Sequence, residues 1–88
     1  MLIGKVVGSV VSTRKNDNLV GSKFMVVEVL PKFGEGVKQI VAVDNVGAGM
    51  GEAVLVSTGS AARIGIGKES APVDAAIVGI LDDISSLK

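Results

Sequence analysis

The sequence predicts an all-β protein, a small closed barrel of five strands with one short helix. Sixteen of the 88 residues are valine, which is enriched in β-strands. Short apolar runs are separated by groups of Gly, Pro, Asn and Ser, which are typical of turns. A chain of this length has room for one hydrophobic core. We therefore expect a single domain that spans residues 1–88.

Five apolar runs are the candidate strands, and polar segments join the first three. In chain order the runs cover residues 2–12, 23–30, 39–46, 52–57 and 75–84. Residues 14–18 and 31–36 are predicted to be polar turns between consecutive strands. The one predicted helix is a single turn, with Ser60 as its N-cap and Gly65 in the left-handed conformation that ends it.

The candidate strands are apolar on both faces. Residues 25–27, 40–43, 53–56 and 75–78 are unbroken apolar runs, whereas a strand with one solvated face alternates apolar and polar residues. One face would fill the barrel, and the other needs a cover that a chain with a single helical turn does not supply. Alanine, larger apolar residues and glycine make up 54 of the 88 positions. Self-association is the expected source of the cover.

The composition excludes several classes of chemistry. The chain has no His and no Cys, which rules out an imidazole base, a thiol nucleophile and the common zinc sites. We expect no cofactor and no metal. Equal numbers of basic and acidic residues leave no electrostatic footprint for nucleic acid or anionic lipid. No segment approaches the roughly 20 apolar residues of a membrane span, and no export signal opens the chain. A soluble cytoplasmic protein is expected.

Two glycine-rich segments resemble nucleotide-binding loops but lack the required pattern. In residues 44–52 glycine recurs at alternate positions and leads into a strand, whereas a dinucleotide loop opens a long helix. If residues 65–70 ended a phosphate loop, position 62 would be Gly and position 69 would be Ser or Thr. The sequence has Ala62 and Glu69 at these positions. We interpret the first segment as a tight strand connection, in which glycine supplies positive φ or allows close backbone approach.

Other candidate sites are few. Five-stranded barrels include folds that bind single-stranded nucleic acid, but this needs stacking aromatics. The chain has two aromatic residues: Phe24 is expected in the core, and Phe33 in an exposed loop. For acidic pairs such as Asp44 with Glu52, we expect exposed or ion-paired side chains and not acid–base catalysis, because nothing in the sequence places the two carboxylates in one pocket. Arg63 either lies at the surface or binds a carboxylate, across a subunit boundary in one alternative.

Three ordered motifs resemble one known family. They cover residues 44–52, 59–63 and 72–82, and residues 4–13 and 19–27 add to the likeness. Together they resemble the EutN/CcmL family, the pentameric vertex proteins of bacterial microcompartment shells. Ala61 departs from the family pattern, in which Ser is common at this position. The type of compartment, whether carboxysome, ethanolamine, propanediol or glycyl-radical, is left open.

The resemblance implies a fold, an assembly and a location. The fold is a barrel like that of oligonucleotide-binding proteins, assembled as a cyclic homopentamer. The pentamer plugs the fivefold corners of a cytoplasmic polyhedral shell whose facets are hexameric shell proteins. The resemblance implies no catalysis. The alternative function is single-stranded nucleic-acid binding on the same barrel, and a nucleotide-binding enzyme is a third hypothesis.

The resemblance also selects residues for assembly. The matching motif positions are Asp44, Gly47, Gly49, Gly51, Glu52, Ser60, Arg63, Pro72 and Asp74. Among these, Glu52, Arg63 and Asp74 are predicted to fix the geometry between subunits. The three glycines of the first motif are predicted to let crowded loops approach each other in the ring.

Overall fold

The five predicted strands are present in a computed structural model, which describes residues 1–11, 21–33, 36–59, 62 and 74–82. The strands are β1 (Leu2–Val10), β2 (Lys23–Val29), β3 (Gln39–Asp44), β4 (Ala53–Thr58) and β5 (Ala75–Leu81). They form a closed barrel in the order β1-β2-β3-β5-β4. The predicted all-β barrel is confirmed.

The strand order determines where the connection between β3 and β4 must pass. All neighbouring strands are antiparallel except β3 and β5, which run parallel with Val43 beside Ala76 and Asp44 beside Ile77. Because β5 lies between β3 and β4 in the barrel, the chain leaving β3 passes the end of β5 before it enters β4. This places residues 45–52 across one end of the barrel.

Branched side chains fill the barrel interior. The largest side chains that are fully buried are all branched: Val6, Val27, Val54, Val56 and Ile77. They come from four strands and belong to one cluster. Ala48, from the connection between β3 and β4, packs into the same cluster and closes this end of the barrel.

A second apolar cluster lies on the outside of the barrel and explains the unbroken apolar runs. Val43, Ala62 and Ala76 are buried in it, with Phe24 and Val78 partly buried against them. We refer to these five residues as the outer cluster. The chain thus covers part of its own outer face. Phe24, which was expected in the core, packs partly buried against this outer cluster and not inside the barrel, because its neighbour Met25 faces the interior and strand residues alternate.

Helical structure is scarce among the described residues. Of the predicted helix only Ala62 is described; it is helical, and its N–H donates to the Gly59 carbonyl oxygen at 3.1 Å. The proposed cap and stop at Ser60 and Gly65 lie outside the described residues. A 3-10 turn at Pro31–Phe33 lies in a segment predicted to be a polar turn. No helix in the described part of the chain is long and apolar enough to cross a membrane.

The candidate assembly loop

Residues 45–52, here called the assembly loop, are fixed to the barrel at their C-terminal end. The Gly51 N–H donates to the Val6 carbonyl oxygen at 2.8 Å, and the Val6 N–H donates to the Glu52 carbonyl oxygen at 3.0 Å. These two bonds extend the pairing of β1 with β4 by one step. Together with the buried Ala48, they hold the loop against the barrel end.

Asp44 immediately precedes the assembly loop. It is the last residue of β3, and its side chain is buried. Its Oδ1 accepts a hydrogen bond from the Val46 N–H at 3.0 Å, which is an Asx turn. Its Oδ2 is buried and has no hydrogen-bond partner among the residues that the structure describes. The carboxylate therefore directs the chain out of the strand, a structural role that fits its place in the motif.

Glu52 closes the assembly loop from the other side. Its Oε1 accepts a hydrogen bond from the Gly49 N–H at 2.6 Å, and its own N–H donates to the Gly49 carbonyl oxygen at 3.2 Å. A carboxylate that accepts from a backbone amide makes one of the stronger hydrogen bonds. Asp44 and Glu52 thus each hold a different amide of the same loop. This arrangement supports loop conformation rather than shared acid–base chemistry.

Glycine occupies the three positions of the loop for different structural reasons. Gly47 and Gly51 have φ values of 80° and 82°, a region that residues with a Cβ rarely adopt. An added Cβ at either position would meet no atom of the described part of the chain within 4 Å. At Gly49 an added Cβ would lie 3.1 Å from the Glu52 Oε1. The interpretation that glycine supplies positive φ is confirmed at Gly47 and Gly51, while crowding between neighbouring copies stays a prediction.

The other predicted motif residues are only partly described. Asp74 is exposed, and its carbonyl oxygen accepts a hydrogen bond from the Gly59 N–H at 2.8 Å. Gly59 follows β4 and has a φ of 66°. Because Asp74 directly precedes β5, this bond joins the turn after β4 to the start of β5. Ser60, Arg63 and Pro72 lie outside the described residues.

The loop also carries two side chains that the sequence analysis did not select. Val46 and Met50 are exposed on either side of the buried Ala48, and 64% of Met50 is accessible. The alternation of glycine with Val46, Ala48 and Met50 is visible in the sequence, but it does not show which of the three apolar side chains is buried. The loop therefore presents an apolar surface held in one conformation.

Comparison with known proteins identifies the class. Residues 1–82 match the family described as ethanolamine utilisation protein EutN/carboxysome. The match spans all five strands and the assembly loop. The chain belongs to the EutN/CcmL family, as its motifs predicted.

Relatives extend the match over whole chains. The sequence is 49% identical to the bacterial microcompartment shell vertex protein GrpN of Rhodospirillum rubrum, over 99% of each chain. A solved structure described as the GrpN pentameric microcompartment shell protein from that organism has a TM-score of 0.81 at 47% identity, covering 97% of this chain and 98% of that one. The structure of CcmL from Nostoc sp. has a TM-score of 0.85 at 49% identity, covering 99% and 95%.

These relatives decide between the functional hypotheses. They are described as shell vertex proteins, which are structural and not enzymes. The predicted class is therefore confirmed. The nucleic-acid-binding alternative finds no support among them, and neither does nucleotide chemistry.

Proposed function

We propose that this single-domain chain forms a homopentamer that caps the fivefold vertices of a bacterial microcompartment shell in the cytoplasm. The observation that carries the proposal is the match over nearly the full length of both chains to a shell protein described as pentameric. The barrel with its anchored loop suits this role, because a rigid block keeps the angle between neighbours constant. The chain closes the shell and performs no reaction.

The ring requires each copy to use two different surfaces. In a cyclic assembly of five, every interface joins a patch on one copy to a different patch on the next. Stable interfaces bury about 800 Å² on each partner. Two of them would cover roughly 30% of the 5382 Å² accessible surface of this chain. Such coverage supplies the outer cover that the apolar strands need.

The facets of the shell are the proposed second partner. Flat layers of hexamers cannot close into a polyhedron by themselves, so a closed shell needs pentagonal units at its corners. We infer that the outer rim of the pentamer contacts hexameric facet proteins. Coexpression with such a hexameric protein should give closed shells in electron micrographs. Omission of this chain should leave open sheets or tubes, and closed shells in its absence would contradict the proposal.

The oligomeric state provides a direct test. Native mass spectrometry is expected to give a single species of five times the 8.9 kDa chain mass. The same ratio should persist on serial dilution, because each copy in a closed ring is held at two interfaces. A stable monomer, or a ring of another size, would contradict the proposed pentamer.

Replacing Gly49 by Val is expected to disrupt the ring more than the barrel. Among the described residues of one chain the new Cβ meets only the carboxylate end of the Glu52 side chain, with Oε1 at 3.1 Å, and a side chain can turn away, so we expect a barrel that still folds. The added side chain does displace the carboxylate that accepts the Gly49 N–H, and it adds bulk to the apolar face of the loop. Circular dichroism should be nearly unchanged, while native mass spectrometry should lose the pentamer. Intact pentamers would count against a tightly packed loop.

A further inference from the structure

The strand register places an uncovered apolar surface on the outside of β1, β2 and β3. Directly paired residues lie on the same face of a sheet. Gly8 pairs with Val26, which pairs with Val41, and Val10 pairs with Phe24 in the next row. Since Met25 and Val27 face the interior, all of these point outward.

Three members of this surface form what we call the valine patch: Val10, Val26 and Val41. Val41 is 51% exposed, Val10 is also exposed, and Val26 is half-buried. The outer cluster covers the neighbouring part of the face but leaves the patch open. On the other side the patch ends at a polar row of exposed residues, in which Lys5 pairs with Glu28 and Glu28 with Gln39.

The assembly loop offers a second apolar surface at a different place. It closes the end of the barrel, whereas the valine patch lies on the barrel wall. The Asp44 and Glu52 carboxylates accept from the Val46 and Gly49 N–H groups, so the loop backbone that carries the exposed Val46 and Met50 side chains has less freedom to lose on binding. Methionine also adapts its shape to the surface it contacts. The two surfaces therefore fulfil the head-to-tail requirement of a ring.

We propose that Val46 and Met50 of each copy pack on the valine patch of the next copy around the ring. This inference rests on the proposed pentamer and names its contact surfaces. The valine patch carries no charge, and the one charged residue of the assembly loop, Glu52, has its Oε1 hydrogen-bonded to the Gly49 N–H. The polar row of Lys5, Glu28 and Gln39 would then form the rim of the interface, as polar residues do at interfaces generally.

Cross-linking can test the contact because the chain contains no cysteine. A chain with both Val41→Cys and Met50→Cys, treated with a short bis-maleimide, is expected to give a ladder on a denaturing gel that ends at five subunits. Each single variant should stay monomeric on the gel, because like positions do not meet in a head-to-tail ring. A control that combines Val37→Cys with Met50→Cys should give no ladder, since Val37 is 40% exposed but lies outside the patch.

The outcomes separate this inference from the proposed function. If the double variant is pentameric by native mass spectrometry but gives no ladder, the contact is wrong and the pentamer stands. If the unmodified chain is not pentameric, the proposed function fails and the inference fails with it.

A pair of substitutions at Val41 covers the case in which the double variant does not assemble. Val41→Thr keeps the side-chain shape, and we expect the pentamer to persist. Val41→Asp would bury an unpaired carboxylate at every interface, and we expect complete loss of the pentamer with an unchanged circular dichroism spectrum. A pentameric Val41→Asp variant would overturn the inference.

Discussion

Replacing Ile77 by Ala is expected to lower the free energy of unfolding by about 2–5 kcal/mol, the usual cost of removing a large buried side chain. Ile77 is fully buried and lies in the middle of the interior cluster. It also stands where β5 meets both neighbours, beside Asp44 of β3 and Val56 of β4. A cavity there removes contacts from both pairings. Urea unfolding at fixed protein concentration would measure the loss.

Ile80 is the matched control for this substitution. It lies on the same strand, but 37% of its side chain is accessible, so Ile80→Ala removes less buried surface and leaves no closed cavity. We expect a loss well below that of Ile77→Ala. Because assembly stabilises only the folded barrel, the two variants should be compared at the same protein concentration. Equal losses in the two variants would contradict the assignment of the core.

The fold was largely predictable because its signals are local. Valine-rich runs and polar turns locate the strands, and unbroken apolar runs indicate two buried faces. The outer cluster accounts for part of this, as Ala76 is buried there while its neighbours Ala75 and Ile77 are buried inside. Phe24 was predicted to be a core residue without its face being specified, because an unbroken apolar run does not reveal which residues point inward. Strand pairing determines that, and pairing is not local.

The candidate site was predictable as a segment, but the role of each residue within the segment was not. The alternating glycines marked residues 44–52, but their reasons differ: Gly47 and Gly51 need positive φ, while Gly49 lies against Glu52. Glu52 was expected to act between subunits, and the structure engages it with an amide of its own loop. Such distinctions depend on distances of a few ångströms between residues three apart, which composition and spacing do not encode.

Val46 and Met50 were overlooked for a related reason. In a sequence with so many apolar residues, two more carry no signal until burial is known. Ala48 takes the interior position, and this leaves its neighbours outside. Among the described residues, the apolar surplus thus supplies an interior, an outer cluster and exposed positions such as Val41 and Met50.

Replacing Gly4 by Ala is the second change with a large expected effect. A Cβ at this position would lie 2.5 Å from the Glu28 carbonyl oxygen and 2.6 Å from the Val27 Cγ1. Both distances are shorter than real contacts allow, and a backbone oxygen cannot rotate away as a side chain can. Since β1 is paired with β2 on one side and β4 on the other at Gly4, β1 cannot shift without breaking a ladder. We expect a loss of about 1–3 kcal/mol or more in unfolding free energy.

Gly79→Ala isolates the cause of this loss. Its added Cβ would lie 3.8 Å from the Leu55 Cβ, an ordinary contact, and neither position has a positive φ. Alanine restricts the unfolded chain more than glycine does, so Gly79→Ala should be neutral or stabilising by about 0.5–1 kcal/mol. The expected change in unfolding free energy on replacing Gly by Ala therefore differs in sign between two strands of one barrel. Equal stability of the two variants in urea unfolding would contradict the prediction. It would mean that β1 can shift enough to accept a Cβ at Gly4.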